Sequence, residues 1–154
     1  MTTTTERLAE LGIALPSVAA PAGSYVPARR TGNLVYTAGQ VPFVDGKIAA
    51  TGKVGDTVSA EDAAALARIC ALNALAAIDG LVGIDAVTGV IKVVGFVASA
   101  EGFTGQPGVI NGASDVLAEI FGEAGKHARS AVGVAELPLG VPVEVELIVE
   151  VAPE

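Results

Sequence analysis

The sequence predicts an α+β fold, a mixed sheet with two helices packed on one of its faces, and three observations carry that prediction. From Ala60 to Asp79 no Gly or Pro interrupts the chain, and Leu66, Ile69, Cys70, Asn73 and Ala77 recur at the spacing of one helical face. Near the end, Val143, Val145, Leu147, Val149 and Val151 share one side of an extended strand, with Glu144, Glu146, Ile148 and Glu150 on the other. Finally, the segments follow in the order strands, helix, strand, helix, two strands, within one domain spanning residues 1–154 that has no internal repeat and no linker. Helices cover one sheet face; the other needs cover, and a second copy of the chain can supply it.

Taken in order, Thr2 to Thr5 read as a frayed end and Glu6 to Leu11 as a short helical turn stopped by Gly12. A Pro- and Ala-rich extended stretch follows from Pro16 to Gly23, so residues 1–20 form an N-terminal extension. Tyr25–Arg30 and Leu34–Gly39 read as strands joined at Thr31-Gly32-Asn33, because Gly and Asn accept the positive φ of tight hairpins; Pro27 marks an edge or a bulge. Asp45-Gly46 forms the tip of another turn between Gln40 and Ile48. Ser59, with Asp62 three residues on, caps the long helix, which Gly80 and Gly83 end. Val90–Ala98 is β-branched and reads as a central strand. A glycine-rich passage, Gly102–Gly112, leads to a second helix over Ser114–Phe121, capped by Ser114-Asp115 and ended by Gly122 or Gly125. Ala128–Ala135 and Val143–Val151 are the closing strands, and a hairpin centred near Leu139 sets Arg129 opposite about Ile148.

Composition narrows the function. The 154 residues are 51% apolar but only 4% aromatic, so a core of Ala, Val, Leu and Ile must be finely packed or shared with another subunit. A mean hydropathy of +0.59 points to a homo-oligomer. Nine Lys and Arg against 17 Asp and Glu give a net charge of −8, which opposes phosphate contacts, so no nucleic-acid partner is expected. The single cysteine, Cys70, excludes an intrachain disulfide and a Cys-based zinc cage. Met1–Arg7 lacks the basic-then-apolar pattern of a secretory signal, and apolar stretches are broken by Gly or charge before the ~20 residues needed to cross a bilayer. A cytoplasmic address with no membrane partner is expected.

Several chemistries are missing their residues. There is no Gly-x-x-x-x-Gly-Lys loop, no Gly-x-Ser-x-Gly elbow and no His-Glu-x-x-His, and neither a metal nor a cofactor is expected. His127, the only histidine, reads as an exposed helix-end residue, and Cys70 as a small buried hydrophobe with a raised pKa. Arg129 is more informative, because it opens the otherwise apolar run Ser130–Ala135. An arginine there either caps a solvated edge or faces a cleft, where its planar fork can take a carboxylate in two parallel hydrogen bonds. Glu144, Glu146 and Glu150 read as a polar face turned to water.

The stretch Gly32-Asn33-Leu34-Val35-Tyr36-Thr37-Ala38-Gly39-Gln40-Val41-Pro42, the run Ala128–Pro138 and the closing Val143-Glu144-Val145-Glu146 resemble, in order and spacing, the reactive intermediate deaminase family, also called the YjgF family. The resemblance implies a chorismate-mutase-like α+β sandwich that forms a homotrimer with clefts between subunits. It also implies hydrolysis of 2-enamino or 2-imino acids to 2-keto acids and ammonia. Position by position, Arg129 matches the anchor of the substrate carboxylate and Glu144 the water-orienting glutamate. Tyr25 matches a cleft tyrosine, Gly39 a glycine whose amide faces the ligand, and Asn111 or Ser114 falls near a family asparagine. Ala38 stands where many members carry a serine, and the Gly102–Gly112 passage and the N-terminus are longer, which marks a divergent branch. The alternative is a non-catalytic trimer that binds or senses a small carboxylic acid. The ribonuclease label that travels with the family fits poorly with the −8 charge and the scarcity of rings.

Overall fold

Ser59 opens the longest helix of the chain: its hydroxyl accepts the amide of Asp62, and the ladder then runs unbroken to Val82. The structure, a computed structural model of residues 1–154, sets this helix (α2, Ala60–Val82) beside a second (α3, Gln106–Phe121) on one face of a mixed sheet. Gly80 lies inside α2, and Gly83, at φ +83°, ends it. A short helix, α1 (Thr4–Glu10), packs against α3. Thr3 and Glu6 form a capping box, and the Asp85 carboxylate accepts from Thr5, so the threonines expected to fray begin a helix instead.

Five strands build the main sheet in the order β1 (Ala28–Thr31), β2 (Leu34–Thr37), β7 (Val143–Val151), β5 (Val87–Ala98), β6 (Ala128–Val134). β3 (Phe43–Val44) and β4 (Lys47–Ile48) form a separate small hairpin through Asp45-Gly46. β1 and β2 pair through a two-residue turn with Gly32 at φ +57°. The hairpin expected between the last two strands does not form. β7 runs antiparallel to both β2 and β5, whereas β6 returns through α3 and lies parallel to β5 at the sheet edge. The sequence carries the reason: the valines of β7 suit a strand flanked on both sides, and Ser130, Ala131 and Gly133 of β6 leave little to bury. Arg129 therefore neighbours Val93, not Ile148.

The second helix starts eight positions before the expected Ser114, at Gln106 with Pro107 in its first turn. The glycine-rich passage expected to lead up to the helix thus lies partly inside it, and Gly112 is a packing residue. A Cβ there would collide with the Ala64 carbonyl oxygen, so only glycine lets α3 come this close to α2. The alanines of α2 serve the same approach: Ala63, Ala67, Ala71 and Ala74 are buried with Cys70 in a core of 30 residues. Leu75, Ile78, Ile110, Leu117 and Leu147 are the largest fully buried side chains, and Phe103 and Phe121 only lie against that core. An 18-residue window of α2 is long and apolar enough to cross a membrane, with mean hydropathy 1.7, contrary to the expected interruption of every apolar stretch. Its apolar residues pack against the sheet and α3. The opposite sheet face is open, with Tyr36 and Val132 each 44% exposed and Val94, Phe96 and Ile148 partly so.

Gly112→Ala separates two effects of opposite sign. Helix propensity alone would stabilise by about 1 kcal/mol, whereas overpacking against the Ala64 backbone costs roughly 1–3 kcal/mol. Urea denaturation is expected to show net destabilisation; a more stable variant would contradict the close approach.

Candidate active site

Arg129 enters the structure at the start of β6 and is met by the first turns of α3. Its Nη1 donates to Asn111 Oδ1 at 2.8 Å and to Ser114 Oγ at 3.1 Å, and Nη2 donates to the Pro107 carbonyl at 3.2 Å. These partners recur at helical spacing, so one face of α3 presents all three acceptors. The passage that looked like an irregular insertion is the wall that holds this arginine. A guanidinium has five donors, so one on Nε and one on Nη2 remain free, enough for a carboxylate.

Behind Ser114 stands His127. Its Nδ1 lies 2.7 Å from the Gly125 carbonyl, which can only accept, so Nδ1 carries a proton, and in the neutral ring Nε2 is left to accept from Ser114 Oγ at 2.9 Å. Ser114 thus donates to His127 and accepts from Arg129, and its hydroxyl has one orientation. The histidine expected at an exposed helix end is half-buried and supports Arg129. Its position two residues before Arg129, on the same side of an extended segment, was the available signal.

A second cluster surrounds Glu144, the second residue of β7. Glu144 lines one groove with Tyr25, Arg29, Tyr36, Ala38 and Gly39. Gly39 is held beside it because Gln40 and Val145 exchange backbone hydrogen bonds of 2.8 and 3.0 Å. A Cβ on Gly39 would stand 2.9 Å from Glu144 Cδ and Oε2, so this glycine makes room for the carboxylate, and its N–H is engaged by no backbone acceptor. Ala38 donates to the Pro27 carbonyl and offers no side-chain hydroxyl. Tyr25 is half-exposed, and its hydroxyl accepts the Ala22 amide at 3.1 Å, which ties it to the extended segment of residues 16–23, the N-terminal strap. Burial, and then the neighbouring Glu146, push the Glu144 carboxyl above its ordinary range, which brings it closer to the pKa of a useful base. Arg29 was overlooked: Arg30 is occupied by the Gly32 and Ala152 carbonyls and by Glu154, while Arg29 lines the groove unpaired. Cys70 is fully buried, and burial followed by the charge of Glu144 raises its thiol pKa, so it stays protonated.

The two clusters do not share a sheet face. Arg129 neighbours Val93, which is buried under the helices, whereas Glu144 neighbours Phe96 on the open side. Tyr25, Ala38, Gly39 and Glu144 are brought together, as are Arg129, Asn111 and Ser114, but each chain holds the two sets apart.

Residues 5–151 match the family model described as "YjgF/chorismate mutase-like, putative endoribonuclease". The protein TCP17 of Trypanosoma cruzi is 43% identical over 145 residues, which cover 93% of this chain and 91% of that protein. The crystal structure of Atu1372 from Agrobacterium tumefaciens is 45% identical, with a TM-score of 0.88 over 97% of this chain and 92% of that one. The structure of E. coli TdcF with bound serine is 27% identical, with a TM-score of 0.64 over 90% and 96% of the two chains.

A raised folded-state pKa means that folded Glu144 keeps its proton to higher pH than the unfolded chain does. Its stabilising contribution is complete below the unfolded value of about 4.3 and is lost as pH rises through the folded value. Glu144→Gln should therefore gain stability relative to the native chain as pH rises from about 4 to 7, read from urea midpoints. A difference that stays constant over that range contradicts the assigned environment.

Proposed function

This chain belongs to the YjgF/chorismate-mutase-like family, and we propose that it hydrolyses reactive 2-enamino or 2-imino acids to 2-keto acids and ammonia in clefts between subunits of a homotrimer. The observation that carries this reading is the pair of incomplete half-sites. An arginine with two free donors sits at one sheet edge, and an unpaired carboxylate beside a free amide lies on the opposite face. Joined across a subunit boundary, they supply an anchor for the substrate carboxylate and a base for water. The open apolar face around Tyr36, Phe96 and Val132 supports the assembly, since association would remove it from solvent.

The chemistry asks little more of the protein. Arg129 of one subunit holds the carboxylate and fixes the imine carbon near Glu144 of the next. Water adds to that carbon as the C=N π pair moves to nitrogen, and Glu144 carries the water proton to the nitrogen. Glu144 then takes the hydroxyl proton and delivers it to the nitrogen, the C–N bond breaks with its electron pair on nitrogen, ammonia leaves and the oxygen pair closes the carbonyl. The Gly39 N–H is free to donate to the oxygen as charge develops on it. The serine bound in E. coli TdcF supports an amino-acid-sized ligand for this fold. Family membership and a buried, unpaired thiol fit a cytoplasmic setting. The endoribonuclease description is not extended to this chain, whose net charge is −8 and whose Arg7, Arg30, Lys53, Arg68 and Lys126 are all ion-paired.

Freshly generated 2-aminoacrylate should release ammonia faster with the protein than without it. Arg129→Ala should cut kcat/KM by about a hundredfold or more, and Ser114→Ala should act mainly on KM, because it loosens the anchor and leaves Glu144 untouched. Equal rates with and without the native protein would falsify the deaminase reading. Thermal stabilisation by 2-keto acids without any turnover would favour the non-catalytic binder.

A further inference from the structure

The wall formed by Gly39 and Glu144 has a second side. Beneath the N-terminal strap lies a groove of about 350 Å³, within the range of small-ligand sites. It shares Tyr25, Gly39 and Glu144 with the groove described above, so it opens directly from the proposed reaction centre. The remaining lining is apolar, with Ala19, Ala22, Pro27, Val41, Phe43 and Leu139 prominent. Glu144 is the only ionisable group there apart from the Tyr25 phenol. Other polar groups are engaged elsewhere: Gln40 is buried and donates through Nε2 to the Ala38 carbonyl, and Tyr25 Oη accepts from Ala22. Two features shape the groove rather than fill it. Asn73 donates to the Val41 and Phe43 carbonyls and fixes its floor, and Leu139, held at φ +62°, adds its side chain at the rim.

We propose that this groove receives the side chain of the substrate and selects 2-imino acids with a branched aliphatic or aromatic side chain over those with a charged one. The inference rests on the deaminase reading of Glu144 and Gly39 and adds the substrate class. With C2 at Glu144 and the carboxylate on the arginine of the next subunit, the substituent on C3 is what remains to be placed, and the strap groove adjoins that point. An apolar side chain there displaces water from an apolar wall, which favours binding in proportion to the area covered. Inside the strap groove an acidic side chain would meet only the Glu144 carboxylate, since Arg29 lines the neighbouring groove and not this one, and it would lose its hydration without a partner.

The experiment compares kcat/KM for imines generated in situ from leucine, phenylalanine, glutamate and aspartate by amino acid oxidases. Alongside it, melting temperatures are measured with 4-methyl-2-oxopentanoate and with 2-oxoglutarate. The expected results are at least a tenfold preference for the leucine- and phenylalanine-derived imines and a melting shift with 4-methyl-2-oxopentanoate alone. Ala20→Phe and Ala22→Phe fill the groove from the strap, outside helices and sheet, and each should lower the preference at least threefold; either variant suffices if the other does not fold. A preference for the acidic imines, or one that neither variant changes, overturns the inference. If no imine is turned over, the deaminase reading falls by itself. The groove is then judged by the melting shifts: selective stabilisation by 4-methyl-2-oxopentanoate that Ala22→Phe removes sustains it, and equal or absent shifts overturn it.

Discussion

Side chains alternate across a sheet, and in this chain that alternation acts on two residues that the proposed hydrolysis needs together. Val93 links Arg129 to the face covered by helices, and Phe96 links Glu144 to the open face. No rotamer change carries either side chain through the sheet. The parallel crossover through α3 puts β6 at the edge, so Arg129 stands where another molecule can reach it. The antiparallel insertion of β7 puts Glu144 on a surface whose apolar neighbours favour being covered. One topological choice therefore leaves each half-site accessible and incomplete.

Each half is nevertheless well fixed. Pro107, Asn111 and Ser114 hold Arg129 from a helix whose seat depends on Gly112 lying against Ala64, and His127 decides which way the serine hydroxyl turns. On the other face, the bridge between Gln40 and Val145 brings Gly39 against Glu144, and Asn73 ties the following loop to α2. The glycines at 39 and 112 matter for lack of a side chain rather than for unusual backbone angles. Preorganisation of this kind is what the proposed hydrolysis would draw on, because positioning would supply most of its rate.

Much of this was legible in the residues. The alternation in Val143–Val151, the capped run from Ser59 and the turns at Gly32 and Asp45-Gly46 are local signals, and each stands where the pattern put it. The family motifs named Arg129, Glu144, Tyr25 and Gly39, and the structure assembles them into two clusters. What failed was non-local. Proximity in sequence suggested that the last two strands pair, but β5 lies between them. Gly112 falls in the passage expected before the helix, because the partner that explains it, Ala64, is far away in the chain. His127 looked idle because its partner Ser114 had been set at a helix cap rather than in mid-helix.

The central claim is that Arg129 of one subunit and Glu144 of another complete a single site. It is tested most directly by mixing two inactive variants, Arg129→Ala and Glu144→Gln, after dissociation and reassembly. If sites lie between subunits of a cyclic trimer, random mixing at equal amounts restores about a quarter of the clefts, each with an intact arginine facing an intact glutamate. Ammonia release from 2-aminoacrylate should then return to about a quarter of the native rate. No recovery, with mixed oligomers demonstrated by mass spectrometry, would contradict the account.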